Sequence, residues 1–341
     1  MLGSSSYAVD TDVDIVFTLE VGTTGSLAAL SSAELKGLTS VSVTQESDGL
    51  SSFAIDFEIW DGKAGTPTVI ADGTFDVDKM VDISMGRSSS NALMGGVVTD
   101  ISVSYQQGGV SLSVTGYDVR NRLRKGRYVR VFDSKTALEI AQSICKDRGL
   151  ATKVEQGSET LEPVFEYQDA EESDYEYIQR LLGEVGYVID VEGSTVVFRQ
   201  PTPPPFVFET YTPITMQSFS ASASTLEQVD GVRVISKLPD RKRVVGTAGE
   251  PEGDDVITLI RSTVSQAEAK TIADNELKSR LAKKVTASAT VRGDAKLIPG
   301  GWVQIKDVPK FAAAQYRIKR AVHTWSAGAG YTTALTLEQE A

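Results

Sequence analysis

Between Thr11 and Thr115 apolar and polar residues alternate in short runs, a period of two that fits antiparallel strands and little else. Phe53, Ile55, Phe57 and Ile59 make one such run and Val110, Leu112 and Val114 another, with glycine-bearing turns at Asp61-Gly62 and Gly108-Gly109. Late in this region the order is an alternating strand (Val81, Ile83, Met85), a loop, a long strand (Val97 to Tyr105), a Gly-Gly turn and a strand (Val110 to Thr115). The C-terminus repeats it: Val303 and Ile305, a loop, Tyr316 to Trp325, a turn at Gly328 to Gly330, and Tyr331 to Leu337. This repetition predicts two copies of one small β-barrel in the chain. A chance likeness of two hairpins is the alternative, and strand pairing decides between them.

The texture changes after Gly126. Asp133 or Ser134 is placed to cap a helix through SKTALEIAQSICKDRGL, in which Ala137, Leu138, Ala141, Ile144 and Cys145 share a stripe and Gly149 supplies the stop. Asp169, Glu171, Glu172, Asp174 and Glu176 then crowd a short stretch that invites a metal-site reading. No histidine or oxygen-rich loop with a turn glycine accompanies them. Ser173 and Glu176, three residues apart, instead spell a capping box, and Asp174 suits the positive first turn of a helix. That helix carries Tyr177, Ile178, Leu181, Leu182 and Val185 inward and ends at Gly186, and YVIDVEGSTVVFR returns as a hairpin turning at Glu192-Gly193.

PTPPPF, Pro201 to Phe206, cannot continue a sheet and reads as a stiff connector. Beyond it GVRVISKL reads as a strand and DRKRVVGTAGEPEGDD as an exposed charged loop. A second capping box, Ser265 with Glu268, opens a helix through about Lys283. The resulting division is a first β-barrel domain over 1–126, an α/β domain over 127–200, and a second β-barrel domain over 201–341 carrying the helix at about 265–283.

Composition narrows the function. Lys and Arg total 34 against 46 Asp and Glu in 341 residues, a net of -12, so neither a basic groove for nucleic acid nor an anionic membrane surface suits the chain. No signal peptide and no apolar run of about 20 residues is visible, which predicts synthesis in the cytoplasm and no stable membrane insertion. One cysteine, Cys145, and one histidine, His323, argue against disulfide frameworks, zinc sites and His-based nucleophile activation. Cys145 and His323 read as packed residues. No P-loop, GxSxG, HExxH, EF-hand or CxxC pattern occurs, so no catalytic, cofactor or metal residue is nominated.

GGVVTDISVSYQQGGVSLSVTGYDVRNRL, TALEIAQSI, QDAEESDYEYIQRLLGEVGY, GGWVQI and QYRIKRAVHTWSAGAGYTTALTL, in this order and spacing, resemble the phage late control D family. That family comprises baseplate hubs of contractile tails and the hub portion of VgrG. The resemblance implies a mainly β chain with an α/β insertion and two tail-tube-like antiparallel barrels, trimerising into a pseudo-sixfold ring. It further implies a non-enzymatic adaptor between the hexameric inner tube and a trimeric spike. Its implied partners are the tail tube protein, baseplate wedge proteins and a spike expected to be a separate protein, in the baseplate of a virion or injection particle. The rival readings are a peptidoglycan- or carbohydrate-degrading tail enzyme and a receptor-binding β module.

Overall fold

The computed structural model describes residues 15–339 except 24, 62–65, 68–72, 87–90, 107–108, 156, 158–160, 162, 202–206, 226–227, 238–242, 262–264, 283 and 312–313. The glycines at 62 and 108, most of the Pro201 to Phe206 connector, and Asp240 to Lys242 of the basic patch therefore lie outside the described residues.

The first β region comprises β1 (Val16–Thr23), β2 (Ser26–Ala29), β3 (Leu38–Glu46), β4 (Ser52–Glu58), the minimal pair β5 (Trp60–Asp61) and β6 (Thr66–Pro67), then β7 (Met80–Gly86), β8 (Asn91–Gln106) and β9 (Gly109–Tyr117). The middle of the chain forms β10 (Arg130–Lys135), α1 (Ala137–Asp147), β11 (Ala151–Val154), β12 (Val164–Gln168), α2 (Asp174–Glu184), β13 (Val188–Glu192) and β14 (Thr195–Arg199). After it come β15 (Val207–Tyr211), β16 (Met216–Ala223), β17 (Gly231–Lys237), β18 (Arg243–Gly249), β19 (Val256–Ile260), α3 (Gln266–Ala282), β20 (Val285–Arg292), β21 (Trp302–Ile305), β22 (Ala314–Ser326) and β23 (Gly330–Gln339).

Strand pairing shows the repeat. The first unit runs β3-β4-β9-β8-β7-β1 and the second β16-β20-β23-β22-β21-β15. Two of the irregularities recur as well. A bulge between Val98 and Asp100 of β8 answers one between Ile318 and Arg320 of β22, and one between Leu38 and Ser40 of β3 answers one between Met216 and Ser218 of β16. The match has an exception at its far end, where β1 lies antiparallel to β7 but β15 lies parallel to β21.

The expected pair of closed barrels is not what the strands form. Both units belong to one 13-stranded sheet, open from β16 to β2, because the edge of β3 that could close its own unit is taken by β22 of the other, Arg320 to Ser326 against Glu46 to Ser40. The apolar half of each alternation fills a separate core. Leu19, Val41, Val43, Phe53, Ile55, Phe57, Ile83 and Val114 pack in the first unit, and Val291, Leu297, Val303, Ile305, Tyr316, Ile318 and Leu337 in the second. Tyr331 and Trp325 of the second unit cross the seam into the first core, where Trp325 meets Phe17 edge to face at 4.5 Å.

In the middle segment α1 and α2 pack with the three-stranded sheet β11-β14-β13 and the ribbon β10-β12. Ala137, Ile140, Ala141, Ile144 and Cys145 are buried on α1, and Tyr175, Tyr177, Ile178, Leu181 and Leu182 on α2. This core is continuous with the first unit, since Met80, paired in register with Val97, enters it. Two details differ from the sequence reading. Strand β10 runs on to Lys135, so Thr136, with Glu139, caps α1 in place of Asp133 or Ser134. Helix α3 packs on a sheet of its own, β18-β17-β19, between β16 and β20 in sequence. The stretch read there as a loop supplies β18. Gly246 makes the fit possible, because a Cβ at that position would stand 2.1 Å from the backbone of Ala269 on α3.

Candidate functional site: a hydroxyl-lined sheet face

The face of the joined sheet opposite its cores carries mainly the polar half of the alternations, with Val322 and Ala334 among them. On β16 these residues are Ser218, Ser220 and Ser222, and they stand in register with Thr290, Ser288 and Thr286 of β20. Next come Thr336 and Thr332 of β23, Thr324 of β22, Ser40, Ser42 and Thr44 of β3, then Ser52 and Ala54 of β4. Thr115, Ser113 and Ser111 of β9, facing Asp100, Ser102 and Ser104 of β8, complete the strip. Ser42, Thr44, Ser52, Ala54, Thr115 and Tyr117 line a shallow depression in it. Over the middle of the strip short hydroxyl side chains give a smooth wall, and the longer charged groups stand toward its ends and along the seam. Asp56, Glu58, Asp100, Glu46 and Glu338 share this face with Arg292, Arg317 and Arg320. Arg320 pairs with Glu46 at 2.9 Å across the seam, and Asp56 accepts from Ser40 Oγ at 2.6 Å.

Buried polar groups hold the middle segment against the first β unit. Asp118 and Arg120, both almost fully buried, form one node: Arg120 Nη2 donates to Asp118 at 2.7 Å and its Nη1 to the Ile189 carbonyl at 2.8 Å, while the Ser51 amide donates to Asp118 at 2.7 Å. One ion pair thus ties the end of β9, the β3–β4 loop and β13 together.

The acids from Asp169 to Glu176 do not converge on one point. Asp169 accepts from the Tyr167 hydroxyl and Glu172 from Arg180, while Asp174, fully buried, accepts from Arg130 at 2.7 Å, Arg148 at 2.6 Å and Gln168 at 2.9 Å. Ser173 Oγ accepts from the Glu176 amide at 3.3 Å and the Glu176 carboxylate accepts from the Ser173 amide at 2.8 Å. That exchange occupies two of the free amides at the start of α2, and Ser173→Ala should lower stability by about 1 kcal/mol, read from the midpoint of urea unfolding. At α3 the Glu268 amide donates to Ser265 Oγ at 3.1 Å.

Other groups were not foreseen. Glu184, at the C-terminal end of α2, accepts from Arg261, and its carbonyl accepts from Asn275 of α3 at 2.9 Å, so this corner clamps α2 to the β17–β19 sheet and its helix. Burial and the neighbouring charge of Glu184 push Glu166 up to about 7, against the pull of Arg180. Burial likewise raises the Cys145 thiol to about 12, which makes it a poor nucleophile at neutral pH. His323, fully buried in β22, shares hydrogen bonds through Nδ1 with Tyr331 Oη at 2.9 Å and Thr333 Oγ1 at 3.2 Å. No long-range charge pattern in the sequence distinguishes these acids from solvated ones.

Solved structures share this fold from end to end. A 43 kDa tail protein of prophage MuSo2 from Shewanella oneidensis superposes with a TM-score of 0.71 at 15% identity, covering 94% of this chain and 98% of its own. A tail protein from Neisseria meningitidis MC58 gives 0.73 at 13% identity, covering 94% and 96%. The c3393 protein of E. coli, described as a type VI secretion component with structural similarity to the T4 tail proteins gp27 and gp5, gives 0.59 at 13% identity, covering 89% and 74%. The fold is thus that of phage tail proteins. No curated protein matches the chain by sequence. Residues 16–254 match the family described as the Alg8 N-terminal domain, and the chain belongs to that family.

Proposed function

We propose that this chain is a structural, non-catalytic hub in the baseplate of a contractile phage tail or a phage-tail-like injection system, as its late control D resemblance implies. Three copies would place six β units in a ring, matching a hexameric inner tube on one side and a trimeric spike on the other. The observation that carries this reading is the joining of two like units into a single sheet with one hydroxyl-lined face. A passage works best when its wall does not hold what moves through it. Lysines and arginines would retain phosphates by displacing their counterions, whereas serine and threonine hydroxyls, with acids outnumbering arginines, do not. The strip is accordingly assigned to the lumen, and the middle segment to the periphery, where wedge proteins would bind. The likeness of the fold to tail proteins and to a type VI secretion component supports the assignment.

The purified chain, or the chain purified with its tube and spike proteins, should have the mass of a trimer by light scattering and show a continuous bore by electron microscopy. A monomer at all concentrations, alone and with those proteins, would overturn the reading.

A further inference from the structure

The two β units are equivalent strand by strand, yet one of their two possible seams is used inside the chain. There, β22 outruns its neighbour β21, which pairs only with Ala314 to Arg317, and the overhang from Arg320 to Ser326 is taken by β3. Strand β8 has the same shape. Its neighbour β7 pairs with Asn91 to Val97, and beyond it β8 pairs, among the described residues, on one side only, with β9. By the repeat β8 is the counterpart of β22, and the counterpart of β3 is β16, the terminal strand of the sheet, which among the described residues pairs with β20 alone. The β8 overhang and the open β16 edge are thus equivalent to the two strands already joined at the centre of the chain. An unpaired edge is a template for another strand.

We infer that β16 of one copy pairs antiparallel with the β8 overhang of the next, reproducing between chains the seam that β3 and β22 make within one. This deepens the hub reading and rests on it. The register follows from the two bulges shared by the units. Thr324 opposite Ser42 and Trp325 opposite Val41 in the internal seam translate into Ser104 opposite Ser220 and Tyr105 opposite Phe219 between copies. His323 opposite Val43 translates into Val103 opposite Ala221.

The side chains fit this register on both faces. Ser104 and Ser220 extend the hydroxyl strip without a break. On the other face Val103 and Tyr105, 62% and 80% exposed in the single chain, continue the line of Leu112 and Val114 past the end of the first core. Phe219 and Ala221 rim the second core along the open β16 edge. Tyr105 corresponds to Trp325, which crosses the internal seam into the neighbouring core, so the outer seam would cover two of the apolar residues that the single chain exposes. Pairing of the β8 overhang with a different strand, β16, makes the contact head-to-tail, which closes into a ring when the rotation per copy is right.

Cysteine crosslinking on the full chain tests the seam, because directly opposed residues of antiparallel strands have Cα atoms about 4.5–5.5 Å apart. Under mild oxidation the double variant Ser104→Cys/Ser220→Cys should give covalent dimers and trimers, while each single variant should stay monomeric on a denaturing gel. The offset pair Ser104→Cys/Ala221→Cys, whose side chains lie on opposite faces, should crosslink at least tenfold less. Crosslinking by a single variant, or equally by the offset pair, overturns the seam or its register. A trimer by light scattering without the Ser104/Ser220 crosslink overturns the seam and leaves the hub reading standing, whereas no oligomer with or without tube and spike overturns both. Val103→Asp, at a site exposed in the single chain, provides a second readout: unchanged circular dichroism with loss of the trimer supports the seam, and an intact trimer opposes it.

Discussion

Asp174→Ala should destabilise the middle segment by about 3–5 kcal/mol, a large share of the stability of any ordinary domain. The carboxylate is fully buried, and the guanidinium groups of Arg130 and Arg148 both turn inward to meet it, each also lying 4.7 Å from the Tyr128 ring centre. Removing it leaves two like charges facing each other with no anion and strands the Gln168 amide. The cost therefore comes chiefly from the arginines left behind. Replacing both by leucine in the Asp174→Ala background should recover a good part of it, whereas loss of packing alone predicts a further fall. Urea unfolding followed by amide exchange in α1 and α2 distinguishes the two outcomes. Asp174→Asn should fall between wild type and Asp174→Ala, because it keeps the shape and one acceptor.

The role of Asp174 was half legible in the sequence. The Ser173/Glu176 spacing marks a helix start, and Asp174 belongs there on dipole grounds, but nothing local says that Arg130 and Arg148, far away in the chain, will turn inward to it. The same division holds for the fold. Alternation in β3, β4, β8, β9, β22 and β23 marks which residues enter a core, and the helix stripes of α1 and α2 do likewise. The seam between β3 and β22 leaves no such mark, since Ser40, Ser42 and Thr324 are equally suited to an edge, a pair or open water. Closed barrels were the natural expectation from a repeat of strand order, because strand order does not say which edge a strand offers to which neighbour. Arg243 to Gly249 was hidden for a different reason. Its charges and glycines look like a turn, and only the close approach of α3 explains why glycine stands at 246 inside a strand.

The seam gives the second large effect, which depends on pH. His323 is fully buried beside Tyr331 and Thr333, in the stretch of β22 that holds β3, and burial pushes its pKa down to about 4 from an ordinary value near 6.5. The unfolded chain takes up the proton as pH falls through about 6.5, while the folded chain resists until about 4. The stability contributed by neutral His323 is thus fully present above pH 6.5 and lost progressively on acidification, the loss being complete below about pH 4, where both states are protonated. That difference amounts to about 3 kcal/mol. Glu166 runs the other way, since its raised pKa makes it lose stability as pH rises from about 4.5 through 7, so the unmodified chain alone reports a sum of opposed slopes. The variant His323→Val isolates one of them, and valine is what the first unit carries at the equivalent position, Val103. Between pH 6.5 and 4 the stability difference between wild type and His323→Val should shift by about 3 kcal/mol in favour of the variant, measured by denaturant titration at each pH. A pH-independent difference would mean that His323 is protonated or solvated in the folded seam. Amide exchange should place the acid-induced opening at Ser40 to Glu46 and Arg320 to Ser326, ahead of the strands on either side. The join between the two units would then be the first part of the sheet to yield in acid, because it is held at its centre by an imidazole that must remain uncharged.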